Sequence, residues 1–201
     1  MKVQTSQPLL EALRLNTHAC HQAVQDRFDV THRIQNKDNY ANLLMMFWGF
    51  YNEIEPLLKR WDSDFTRLGI DFEIRRKIPK LLVDISELDL TERLASQPKC
   101  EISALPDLQT LAQAVGCLYV LEGSTLGAQV ICQHLRTVLG SESAQIPMNF
   151  YQGYGLETRK MWGEFCDFIF RYSLEIKTIQ EHEQVLASGR QTFKSLGKWL
   201  G

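Results

Sequence analysis

The chain has 201 residues, 44% of them hydrophobic, enough to bury a sizeable core as one domain over residues 1–201. A formal net charge of -2 excludes a strong electrostatic pull towards nucleic acid or an anionic membrane surface. Its apolar runs are shorter than a membrane span and Met1 to Pro8 lack the apolar core of a signal peptide, so a cytoplasmic protein is expected.

In chain order, the pattern is helical throughout. A first helix is expected from about Pro8 to Phe28, with Ser6 as cap and Pro8 near its first turn. At about 100° per residue it gathers Leu10, Leu13, Thr17, Cys20, Val24 and Phe28 into one apolar stripe. His18 falls outside that stripe, towards water. His21 sits at its edge, one turn beyond Thr17 and nearly in line with Arg14. A second helix, from about Asn39 to Trp61, is rich in aromatics that read as core; Pro56 should kink or break it. One or two shorter helices around Pro79 are expected between Ile74 and Gln97. The cations Arg75, Arg76, Lys77 and Lys80 there read as a small solvated basic face.

The segment from about Leu108 to Leu139 is too long for a buried strand and reads as helix. It nevertheless contains Gly116, Gly123 and Gly127, each costing roughly 1 kcal/mol relative to alanine inside a helix. Close packing of a neighbouring helix accounts for Gly116. Gly123 and Gly127 leave two bare backbone patches one turn apart, with the Ser124 hydroxyl placed to bond a carbonyl freed by a kink. That is a backbone surface suited to press on a flat ligand. Residues from Gly140 to Tyr154 read as loop, and two further helices are expected at about Leu156–Ile176 and Ile179–Leu200. No stretch alternates like a strand, so the fold class is an all-α, single-domain helical bundle.

An imidazole at the margin of a core face, with the Arg14 guanidinium on the same side, suits a ligand that is apolar, metal-bearing and anionic at one end. Gln25, one turn after His21, can accept from the ring nitrogen turned away from a metal. The same residues also fit an edge histidine that merely packs or meets water. His18 and His21 form no third-ligand set, no E-x-x-H pair is present, and Glu122-Gly-Ser-Thr-Leu-Gly is not a nucleophile elbow. His32, His134 and His182 carry no comparable context. The five cysteines, odd in number and without C-x-x-C spacing, read as reduced thiols with no catalytic role.

Two motifs carry a family resemblance. Leu13-Arg-Leu-Asn-Thr17-His-Ala-Cys-His21 resembles the proximal helix, and Leu118-Tyr-Val-Leu-Glu-Gly-Ser-Thr-Leu-Gly-Ala-Gln-Val-Ile131 the distal helix, of the biliverdin-producing heme oxygenases, the bacterial branch above all. Weaker similarities are Phe150-Tyr-Gln-Gly-Tyr-Gly155 and the closing Thr192-Phe-Lys-Ser-Leu-Gly-Lys-Trp-Leu200. The resemblance implies heme held between a proximal helix and a kinked distal helix, with His21 as the iron ligand. It implies that Gly123, Ser124 and Gly127 form the distal, catalytic surface, and that Arg14 and Tyr119 lie near the heme propionates. The implied reaction takes heme and O2 to biliverdin, CO and Fe2+, with electrons from a ferredoxin or flavoprotein reductase. Many members carry glutamate where Gln25 stands. A neutral amide donates less electron density to the imidazole, which keeps open a non-catalytic heme-binding carrier or sensor on the same fold. A helical bundle with no heme, its glycines serving packing alone, is the remaining alternative.

Overall fold

The computed structural model describes residues 8–140 and 145–201, and among these every element is helical. The first helix, α1 (Leu9–Arg27), has Pro8 at its N-cap position with no side-chain cap bond; Ser6, the expected cap, lies outside the described residues. It buries Leu9, Ala12, Leu13 and Thr17, so its inward face lies slightly N-terminal of the expected stripe, and Leu10, Cys20 and Val24 sit at the margins. A short turn, α2 (Val30–Arg33), leads to α3 (Lys37–Lys59), whose N-terminus Asn36 caps by accepting from the Asn39 N–H at 2.9 Å. The α3 aromatics Tyr40, Phe47, Trp48, Phe50 and Tyr51 are buried, as expected.

Pro56, expected to kink or break α3, does not break it. The helix runs past it and ends at Lys59, because Pro56 is exposed and one turn from the end. A missing N–H there leaves a carbonyl that solvent can reach, which is the cheapest place to lose one helical bond. Next come α4 (Asp62–Arg67) and α5 (Ile78–Glu87), the latter a short helix in the expected region, with Pro79 in its first turn.

The glycine-bearing segment is the one on which the cavity depends. It divides into α6 (Leu111–Gly123), a tight 3-10 turn over Ser124–Gly127, and α7 (Ala128–Leu139), bent by 46° between its two arms. A capping box starts α6: the Gln113 N–H donates to Thr110 Oγ1 and the Thr110 N–H to Gln113 Oε1. At the break, Ser124 Oγ donates to the Leu121 carbonyl and Thr125 Oγ1 to the Glu122 carbonyl, both at 2.7 Å. Hydroxyls thus serve the oxygens that the interrupted ladder leaves behind.

The stretch read as loop contains a one-turn helix, α8 (Asn149–Gln152). Its cause is distant in sequence. Buried Asp84 on α5 accepts from the backbone N–H groups of Asn149 and Phe150 and from the Asn149 amide, at 2.7 to 2.8 Å. The last two helices are α9 (Thr158–Ser173) and α10 (Ile179–Leu200), and α10 opens with a second capping box, Thr178 with Glu181.

α10 packs along both α6 and α1. At their meeting a Cβ added to Gly116 would lie 2.1 Å from the Val185 carbonyl oxygen, so this glycine serves helix packing, as the sequence suggested. A Gly116→Ala change should therefore cost about 1 to 3 kcal/mol by overpacking. Urea unfolding checks it, and an unmoved midpoint would contradict the close approach. Among the described residues no single helix is long and apolar enough to cross a membrane.

Candidate functional site: a cavity between the first helix and a broken helix

A cavity of about 690 Å³ lies between α1 and the α6–α7 break. Ligand pockets usually measure about 300 to 1,000 Å³ and are mostly apolar with a few placed polar groups. Here Phe47, Tyr51, Phe150 and Tyr151, from α3 and α8, supply aromatic wall. α8 is held by Asp84, so a buried carboxylate on α5 fixes two of those rings.

On the α1 side the cavity meets Arg14, Thr17, His21 and Gln25, which recur along one face of the helix. The His21 ring packs on Phe193 of α10 with centroids 5.3 Å apart. Its exposure in this structure is towards the cavity. Desolvation, with the neighbouring His18, holds the imidazole below its ordinary pKa, which favours the neutral form that ligates metal. Gln25 borders the cavity, but no hydrogen bond joins it to His21 among the described residues. His18 is exposed, as expected, and reaches the cavity rim.

The facing wall is the break itself. Gly123, Ser124 and Gly127 all line the cavity. A Cβ built on Gly123 or Gly127 would meet no heavy atom within 4 Å among the described residues, the opposite of Gly116. Backbone, not side chain, faces the open space. Tyr119 lies between walls: it is half-buried, its ring is 6.3 Å from Trp162 of α9, and Thr17 and Arg14 lie on its α1 side. Burial pushes the Tyr119 phenol up, against the lowering effect of Thr17 and Arg14. The residues singled out from sequence, Arg14, His21, Gln25, Tyr119, Gly123, Ser124 and Gly127, therefore all border one cavity.

With that geometry in view, a family model described as heme oxygenase matches residues 7–201. The chain belongs to the heme oxygenase family. Among curated proteins, the heme oxygenase of Xanthomonas campestris pv. campestris (strain 8004) is 32% identical over 99 residues, 49% of this chain and 54% of that protein. The match thus spans about half the length of that relative. Heme oxygenase from Neisseria meningitidis, solved with NO and with CO bound, is similar at a TM-score of 0.71 and 18% identity, covering 96% of this chain and 90% of that one. Heme oxygenase from Leptospira interrogans gives 0.68 and 19%, covering 96% and 98%. At these identities the two structures establish the fold.

The chain carries one cluster that its sequence did not reveal. The cations at 75–77 are not a solvated face: Arg75 and Lys77 are buried against Glu122 of α6. Lys77 Nζ donates to Glu122 Oε1 at 2.8 Å and Tyr154 Oη donates to the same oxygen at 2.7 Å, while Arg75 Nη1 bonds Glu122 Oε2. Arg76 pairs instead with Glu55 and Glu73, and Lys80 reaches the Gly153 carbonyl. The overlooked signal was Glu122, a lone carboxylate in an otherwise apolar helix, which has to be paired when buried. Burial pushes its carboxyl up, but Lys77 and Arg75 outweigh that and hold it below the usual value. A depressed folded pKa means stabilisation that is full above the ordinary glutamate range and fades as pH falls through the folded value. Glu122→Ala strands two buried cations and should cost about 3 to 5 kcal/mol. Denaturation at neutral pH measures this, and acid should narrow the gap between the variant and the parent protein.

Proposed function

We propose that this chain is a heme-degrading enzyme that converts heme and O2 to biliverdin, CO and Fe2+, with electrons from a ferredoxin or flavoprotein reductase. One observation carries the reading: the His21 imidazole and a glycine ledge, Gly123 and Gly127, line the same largely apolar cavity, with His18 only at its exposed rim. The residues fit a heme. A flat macrocycle needs a ligand on one side and low relief on the other, and the open space beyond both glycines is where a Cβ would otherwise project. Bound heme would supply the iron that takes up oxygen and the porphyrin edge that is oxidised.

The chain's own residues then have distinct tasks. His21 ligates iron on the α1 side, and its packing on Phe193 sets the ring plane. Arg14 and Tyr119 receive the propionates, since a guanidinium matches carboxylate geometry. Gly123 and Gly127 keep side chains off this wall, so a heme could lie against bare backbone there and the space left for oxygen would be narrow. Ser124 Oγ, bonded to Leu121 and near Tyr51 Oη, keeps this side polar without a strong acid. The aromatic wall excludes bulk water.

A second reading, a heme-binding carrier or sensor, is favoured by Gln25, which borders the cavity as a neutral amide without a bond to His21. The family match favours the enzyme. We place the activity in one domain and in the cytoplasm. Hemin titration tests the binding half of the proposal. A sharp Soret band saturating at one equivalent is expected, whereas a broad, unsaturated band would leave only the helical fold standing.

A further inference from the structure

Besides Arg14, the charged groups that border the cavity among the described residues are Asp29 and Lys77. Lys77 is the unusual one. Its side chain is 8% exposed, its Nζ is fixed by Glu122 at 2.8 Å and Tyr154 at 2.9 Å, and it still forms part of the cavity wall. An ammonium has three N–H donors. Two are committed to Glu122 and Tyr154, and the third is left for whatever shares the cavity. Glu122 lies next to Gly123, so this cation belongs to the ledge side and not to the His21 side.

The charge count supports the same conclusion. Within the buried cluster one carboxylate, Glu122, faces two cations, Arg75 and Lys77, an excess of one positive charge. Glu164 touches Arg75 at 3.3 Å but its side chain is 43% exposed, so solvent screens much of its charge. The Tyr154 phenol stays protonated: burial and the Glu122 charge both push it well above its ordinary value.

We propose that Lys77 makes the glycine-ledge side of the cavity a subsite for small monoanions bound at the heme iron, with Glu122 and Tyr154 as positioning residues. The inference rests on the cavity being the heme site. Small anions that accept hydrogen bonds, such as fluoride and azide, are the class of ligand it takes.

Fluoride and azide titrations of the ferric, hemin-loaded protein test this by optical shift. In Lys77→Met both anions should bind on the order of tenfold more weakly, as expected for one charge several ångströms away at an effective dielectric near 20. Lys77→Arg should retain most of the affinity, and Tyr154→Phe should lose only part of it. CO, a neutral ligand of the reduced form, should bind all four proteins alike. Because Lys77→Met leaves Glu122 with one cation fewer, the paired variant Lys77→Met/Glu122→Gln is measured beside it; it restores the excess of one positive charge without the Lys77 N–H donor and should recover part, but not all, of the affinity. Unchanged anion affinity in Lys77→Met overturns the proposal, as does a parallel loss of CO affinity. Failure of the unmodified chain to give a sharp Soret band would instead overturn the heme reading itself.

Discussion

A His21→Ala variant mixed with one equivalent of hemin should lose the sharp Soret band of a histidine-ligated heme. Affinity should fall by more than about 100-fold, since loss of an outer partner of a ligating histidine alone costs about 10- to 100-fold. The geometry leaves no ready substitute. His18, the nearest imidazole on α1, is exposed at the rim, and among the described residues no group of three or more His, Cys, Asp or Glu side chains converges to hold a metal. His21 itself is held by α1 on one side and Phe193 on the other, so alanine opens a gap without disturbing the core. Free imidazole added to the variant should restore much of the band. A spectrum indistinguishable from the parent protein would refute His21 as the ligand.

Gly127→Leu should behave in the opposite way, keeping iron ligation and losing turnover. Among the described residues a Cβ added there meets no packed neighbour within 4 Å, so the fold can tolerate the side chain. It instead fills the open space on the ledge side, where oxygen would have to fit beside a bound heme. Misplacement of reacting groups by about 1 Å can cost about 100-fold in rate, so a loss of at least that size is expected. The Soret band should form normally while single-turnover decay slows. Unchanged decay would mean that the glycine ledge is not where the reaction takes place. The contrast with Gly116→Ala is informative, since that change should lower stability and leave turnover per folded molecule intact.

Much of this site is legible in the sequence because local rules dominate it. Arg14, Thr17, His21 and Gln25 share a helix face by periodicity alone, and Gly123 with Gly127 announces a break through its cost in a helix. The Ser124 hydroxyl bond to a freed carbonyl follows from the same reasoning. What was hidden depends on partners distant in the chain. Lys77 and Arg75 read as solvated because a run of cations usually is, yet Glu122, 45 to 47 positions away, buries both. α8 was read as loop because its cap, Asp84, lies on another helix 65 residues earlier. Pro56 misled for a simpler reason: a proline weakens a helix least on its exposed, terminal turn.

The most direct measurement is a single-turnover optical experiment in air. One equivalent of hemin is bound, a reductant is added, the spectrum is followed and the gas phase is sampled for CO. Decay of the Soret band into the broad red absorption of biliverdin, with one CO released per heme, is the predicted result. A Soret band that persists through repeated reduction in the presence of oxygen, without CO, would contradict it and leave a heme-binding protein in place of an enzyme.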